Sequence, residues 1–244
     1  MCGSRFNSTR PSGPIVTGGC DMPGKDKAIV LLSGGLDSCV CLAEAVRDYD
    51  AAVLHINYGQ RTEARELRAF HEIADHYGVS ERLVADISYL ARIGGTSLID
   101  ADAEVETGLP TDGQVPSTYV PFRNAHILAV GVSWAEVVGA RALFIGAVEE
   151  DGSGYPDCTA DFYRAFGAAV DAGTRPDTEI AIRTPLLALD KAGIARRGRD
   201  LEAPLHLTWS CYVSEDAACG ECESCRLRLR GFEQAGYPDP IPYR

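Results

Sequence analysis

Val30, Leu31 and Leu32 form an apolar run that stops at Ser33-Gly34-Gly35-Leu36-Asp37-Ser38, and a helix-forming segment follows. These residue types share a chemistry. Two glycines let the backbone turn sharply and approach a ligand closely. The helix behind them aims its first amides, and the positive end of its dipole, at the same spot. Ser33 and Ser38 add hydroxyl donors. The object that fits is a phosphate. A plain strand-to-helix turn with a serine cap would account for the glycines alone. The full S-G-G-x-D-S pattern behind a buried strand favours phosphate. Asp37 is the odd member, because a carboxylate repels phosphate unless it caps the helix or holds a magnesium ion.

A second constellation lies near the C-terminus. Cys211, Cys219, Cys222 and Cys225 read C-x7-C-x2-C-x2-C. Thiolates on a tight knuckle, completed by one from upstream, can bind one metal tetrahedrally, and Gly220 suits the turn. Four sulfurs leave no open position, so the expectation is structural zinc. Buried free thiols and an iron–sulfur cluster are the rival accounts, and His206 is a spare ligand candidate. Cys39 and Cys41 fall where small core residues of the first helix belong. Cys158 could be a reactive thiol, but no histidine lies within a few residues to lower its pKa, so packing is preferred.

The remaining polar residues are less specific. Arg123 and Asn124 start a helix after a proline-bounded loop, and Arg is the usual planar partner of a carboxylate or phosphate. Tyr155 and the acids around it, in "EEDGSGYPDC", could stack on a flat ring and take a ring amine or magnesium. An ordinary acidic loop is the alternative. Lys191 opens the last helix of the α/β pattern, where the dipole does not favour a cation, so a ligand role and a solvated lysine stand equal. Arg226, Arg228 and Arg230 would spread around a helix and face solvent. Gly19 to Lys25 matches G-x-x-x-x-G-K. Asp26 follows in place of Ser or Thr, and the stretch precedes the first strand, so it is set aside.

The elements that must position these groups follow from the pattern. "KAIVLL", "AAVLHINY", "ERLVADI", "RALFIGAV" and "TEIAIRTPL" read as strands, with amphipathic helices between them. Apolar strands alternating with helices predict an α/β fold with a parallel five-stranded sheet covered on both faces. Ligands on such a sheet sit at the carboxyl ends of its strands, where Ser33 to Gly35 fall. Residues 88–119 lack a period and are expected to form a long loop. Residues 1–26 read as a flexible tail, 27–205 as the α/β domain and 206–244 as a small zinc-binding element built on the four cysteines. The chain has 244 residues and a net charge of −12, which argues against a long polyanion such as nucleic acid. Its apolar runs are too short to span a bilayer, and no signal peptide is visible, so a cytoplasmic location is expected.

The turn resembles the pyrophosphate (PP) loop of ATP pyrophosphatases, enzymes with an adenine-nucleotide alpha hydrolase-like fold. Taken with "VPSTYVPFRN", "WAEVVGA", "FIGAVEEDGSGYPDC", "TPLLALDK" and "LTWSCY…CGECESCRLR", the chain is similar to the 7-cyano-7-deazaguanine synthase (QueC) family from about Ala28 to Arg230. The resemblance implies that 7-carboxy-7-deazaguanine and ammonia are converted to the nitrile at the expense of ATP, through an adenylated carboxylate and an amide. It implies that Leu32, Ser33, Gly34, Gly35, Leu36, Asp37, Ser38, Cys39, Val40, Cys41 and Leu42 carry ATP, with magnesium at Asp37. Arg123, Asn124, Ser153, Tyr155 and Asp157 would shape the substrate pocket, with Lys191 beside it. The four cysteines match the family's zinc ligands, and a homodimer is expected. Phe122 departs from the pattern, since many relatives carry a small residue there. Three other functions share these motifs: acylation of a different amine, adenylation of a tRNA base with sulfur transfer, and a non-catalytic nucleotide sensor.

Overall fold

The computed structural model describes residues 24–93, 119–149 and 155–244. Strands β1 (Lys27–Leu31), β2 (Asp50–Asn57), β3 (Arg82–Asp86), β4 (Ala142–Ile145) and β5 (Ala181–Arg183) form one sheet, in the order β3-β2-β1-β4-β5. All four pairings are parallel. The order reverses beside β1, so the crevice between the ends of β1 and β4 is the natural ligand position.

The period-2 alternation of the central strands creates two cores. Ala28, Val30, Val53, Ala142 and Phe144 point to one face. There they meet α1 (Leu36–Asp48), α2 (Glu63–His76), α6 (Lys191–Asp200) and α7 (Glu223–Ala235), through residues such as Val40, Phe70, Ile194 and Phe232. Ile29, Leu31, Leu54, Leu143 and Ile145 point to the other face. It is covered by α3 (Tyr89–Ile93), α4 (Arg123–Val138) and α5 (Ala160–Gly173), through Leu90, Leu128, Tyr163 and Val170. Cys39 and Cys41 are buried in the first core, as expected of small packing residues.

The pattern misjudged two points. The edge strands are not apolar on both faces: β3 and β5 are only partly buried, and Val84 is exposed. An edge has one neighbour and less cover. Arg228 is not a solvated surface residue. It is 1% exposed and lies inside α7, the last helix. Its guanidinium donates to both carboxylate oxygens of Asp239, at 2.7 and 2.9 Å, and to Thr208 Oγ1 and Ser210 Oγ. A guanidinium can be buried when a carboxylate and hydroxyls satisfy its fork. Asp239 lies too far along the chain for sequence spacing to reveal that pairing.

The turn after β1 is locked from behind. Gly34 has φ +93°, and a Cβ there would meet the Glu66 carbonyl oxygen at 2.6 Å. Beneath it, His55 is 1% exposed, and its Nδ1 lies 3.1 Å from the Leu32 carbonyl oxygen. Among the described residues, no helix is long and apolar enough to cross a membrane.

Two expectations follow. Gly34→Ala should lower the urea midpoint well beyond Gly78→Ala. The second residue also has positive φ, at +65°, but nothing within 4 Å of a new Cβ, so it should lose only about 1–2 kcal/mol. Burial holds the His55 pKa below its usual 6.5. The unfolded chain therefore binds a proton that the native protein resists, and stability falls as pH drops below about 6.5. Urea midpoints from pH 7 to 5 should decline for the unaltered protein and flatten in His55→Gln.

Candidate active site

A cavity of about 340 Å³ opens at the carboxyl ends of β1, β2 and β4. Its floor is the β1–α1 turn. Ser33 Oγ and Ser38 Oγ lie 3.1 Å apart, Gly35 N–H donates to Ser33 Oγ, and Ser38 donates to the Gly35 carbonyl. Gly35 stands at the N-cap of α1 without a side-chain cap. The first-turn amides therefore face the cavity unclaimed by a cap, as a phosphate site requires. Leu32, Ser33, Gly35, Leu36, Asp37 and Ser38 line the cavity. Cys39, Val40, Cys41 and Leu42 do not; they are wholly buried in the core behind it. Gly34 also stands behind, and its carbonyl accepts from Trp209 N–H at 2.9 Å.

Asp37 does not cap α1. Its Oδ2 accepts from Lys191 Nζ at 2.7 Å, with both side chains mostly buried. Lys191 is thus not a solvated lysine. The N-terminus of α6 brings it across to the turn, and Asp190 caps that helix by accepting from Gly193 N–H.

The opposite wall gathers the other expected residues. Arg123 is the first residue of α4, behind Phe122, which holds a left-handed φ of 57°. Its guanidinium lies 5.1 Å from the centre of the Tyr58 ring and donates to the Tyr58 hydroxyl at 3.2 Å. Tyr155 packs on Tyr119, ring centres 5.5 Å apart, and Tyr58, Tyr155 and Tyr212 all border the cavity. This is a flat, electron-rich surface with a cation beside it. Asp157 stands outside the cavity lining. One of its carboxylate oxygens accepts from Asn124 N–H at 2.9 Å, and its backbone carbonyl accepts from Asn124 Nδ2. It therefore positions the head of α4. Ser153 lies outside the described residues.

Cys158 accepts from Asn124 Nδ2 at 3.2 Å, and burial pushes its thiol up to about 11. It lines the cavity, but so high a value disfavours the thiolate, which is the reactive form. Sequence reasoning missed Tyr58, Glu66, Trp209, Tyr212 and Arg228 as cavity residues. Tyr58 could have been found, because it follows β2 at the same sheet edge as the turn. The others depend on how α2 and the C-terminal segment pack.

The four cysteines converge. The sulfurs of Cys211, Cys219, Cys222 and Cys225 all lie within 4.8 Å of one another. A metal with bonds of about 2.3 Å would place tetrahedral sulfurs about 3.8 Å apart, so the cluster fits. Amides of Val213, Ser214 and Cys219 donate to Cys211 Sγ, and those of Glu221 and Cys222 to Cys219 Sγ. Such donors favour thiolates. Gly220 supplies the left-handed turn at φ +76°. His206 is exposed and outside the cluster.

Comparison with known proteins identifies the family. The model of the family described as "Queuosine biosynthesis protein QueC" matches residues 27–236. A 7-cyano-7-deazaguanine synthase of Chlorobium phaeobacteroides is 56% identical over 89% of this chain and 96% of its own length. One of Chloroherpeton thalassium is 53% identical over 89% of this chain and 97% of its own. A solved NH3-dependent NAD synthetase of Campylobacter jejuni overlays with a TM-score of 0.43 at 10% identity, covering 77% of this chain and 68% of that one. With the family model matched from the first strand to the end of the last helix, the chain belongs to the QueC family of queuosine biosynthesis proteins.

Proposed function

We propose that this protein converts 7-carboxy-7-deazaguanine and ammonia to 7-cyano-7-deazaguanine at the expense of ATP; its relatives' names give that product. One observation carries the reading. A single cavity joins a phosphate-binding turn to a cationic, tyrosine-lined wall. That is the arrangement needed to bring an ATP α-phosphate to the carboxylate of a flat heterocycle.

A carboxylate is a poor electrophile, because its charge is delocalised and oxide is a poor leaving group. Transfer of AMP to one carboxylate oxygen supplies the leaving group. The Ser33–Ser38 turn and the α1 amides hold the phosphates. Lys191, kept beside the turn by Asp37, adds positive charge where pyrophosphate departs. Arg123 orients the substrate carboxylate, and Tyr58, Tyr155 and Tyr212 take the ring faces. Ammonia displaces AMP to give the amide. A second activation on the amide oxygen, followed by its loss, leaves the nitrile. Magnesium fits at Asp37, whose Oδ1 has no hydrogen-bond partner, and when bound it neutralises phosphate charge. Zinc fits the Cys211, Cys219, Cys222 and Cys225 cluster as a structural ion.

Mass spectrometry of purified protein with 7-carboxy-7-deazaguanine, ATP, magnesium and ammonium tests the assignment. Nitrile, AMP and pyrophosphate are expected. Absence of AMP would overturn it. Elemental analysis should find one zinc per chain, and Cys222→Ser should lose it together with much of the thermal stability, since structural zinc sites contribute on the order of 10 kcal/mol. Because Trp209, near the cluster, holds the Gly34 carbonyl, the same variant should also weaken ATP binding. Unchanged ATP affinity in a folded, zinc-free protein would sever that link.

A further inference from the structure

Asp37, Glu66 and Glu223 are carboxylates on the cavity lining. Asp37 is paired with Lys191, and Glu223 opens α7. Glu66 differs. It stands in the first turn of α2, its backbone against Gly34 of the phosphate turn. Oε1 accepts from Thr62 Oγ1 at 3.0 Å and Oε2 from Gln60 Nε2 at 3.2 Å. Both donors are neutral and buried, at 3% and 6% exposure. Among the described residues no lysine, arginine or histidine forms an ion pair with it. A bare carboxylate behind a phosphate turn is unfavourable unless a cation accompanies it.

The surroundings specify that cation. Glu66 has used one lone pair on each oxygen and can accept more. The rings of Tyr58, Trp209 and Tyr212 border the same cavity, and two of them already carry cations, Arg123 over Tyr58 and Arg65 over Trp209. A divalent metal would need further oxygen ligands close by, and the two groups bonded to Glu66 donate to it instead of joining it as ligands. An ammonium ion, with four N–H donors, fits a carboxylate on the cavity lining that has acceptor positions left. We propose that Glu66 binds ammonium in this cavity and takes its proton, so that ammonia is released beside the activated carboxyl carbon.

This inference rests on the function proposed above, which consumes ammonia but leaves open how a nucleophile is obtained from its protonated form. Ammonium has no lone pair. Transfer of one proton to the Glu66 carboxylate leaves neutral ammonia and a carboxylic acid. The nitrogen lone pair then attacks the acyl carbon, the C–N bond forms, and the C–O bond to phosphate breaks. AMP departs with that electron pair, and the nitrogen's surplus proton passes to solvent. Burial pushes the Glu66 carboxyl up to about 7, while the Thr62 and Gln60 hydrogen bonds and the charge of Arg123 pull the other way. The facing ionisable groups are Arg123 from α4, Tyr58 after β2 and Glu63 on the same helix, with the Lys191–Asp37 pair across the cavity. A base poised near the working pH is effective in both accepting and returning a proton.

Glu66→Gln keeps the size of the side chain and one acceptor oxygen, and removes its charge and basicity. Two readouts separate the roles: ATP–pyrophosphate exchange with the carboxylic acid and no ammonium, and amide formation with ammonium across pH 6 to 9.5. The expected result is that exchange persists in the variant, while amide formation near pH 7 falls about 100-fold and recovers as rising pH supplies free ammonia. The unaltered protein should show a rise in amide formation through about pH 7 that the variant lacks. Equal ammonium use by both proteins at pH 7 would overturn the inference. So would a joint fall of exchange and amide formation that high pH does not rescue, which marks a purely structural carboxylate. Absence of exchange in the unaltered protein would instead overturn the proposed function, and this inference with it.

Discussion

The site depends first on the flush contact between Gly34 and the backbone of α2. With no side chain at position 34, the turn lies against the Glu66 carbonyl, and any Cβ would be 2.6 Å from it. That fit sets the direction in which α1 leaves the sheet, and so where its uncapped amides point. The Gly34 carbonyl in turn accepts from the backbone N–H of Trp209. One contact thereby joins the turn after β1, the second helix and the C-terminal segment. The backbone conformation it demands, φ +93°, is one that side chains resist.

Charge is handled locally in a chain that carries −12 overall. The basic groups on the cavity are Arg123, Lys191 and Arg228, and each is held differently. Arg123 sits over a tyrosine face, Lys191 against a carboxylate, and Arg228 is fully engaged by Asp239, Thr208 and Ser210. Buried ion pairs are weak sources of stability, because desolvation offsets the attraction. The Arg228–Asp239 pair is better understood as a geometric tie. It fixes the segment around Thr208 and the segment around Asp239 to one face of α7, close to Trp209 and the cysteine cluster.

Much of this was legible in the sequence, and the rest was not, for physical reasons. The sheet could be read because alternating apolar strands have few other ways to be buried. The glycine turn after β1 and the cysteine cluster could be read because each is local: a few residues of chain set the geometry. Arg123, Asn124 and Tyr155 could be placed near the turn because strand ends share one edge of a parallel sheet. Arg228, Glu66 and the Lys191–Asp37 pair could not. Lys191 and Asp37 meet from distant parts of the chain, Asp239 lies past the end of α7, and Glu66 is set apart by the burial of its neighbours Thr62 and Gln60; a charged residue on a helix looks the same in sequence whether it meets solvent or a buried partner. The edge strands failed for a related reason. β3 and β5 carry enough apolar residues to resemble the central strands, but their burial depends on position in the sheet order.

The cavity draws its walls from both extremes of the folded chain. The turn at Ser33–Ser38 is made early, whereas Trp209, Tyr212 and Arg228 come from near the end. A ribosome adds roughly 5–20 residues each second, so the first strand and helix wait on the order of ten seconds or more for the segment that holds Gly34 from behind. During that interval the nascent chain can assemble most of its sheet yet cannot close this cavity. A complete cavity is therefore a late event in the life of each molecule, and it coincides with the arrival of the cysteines.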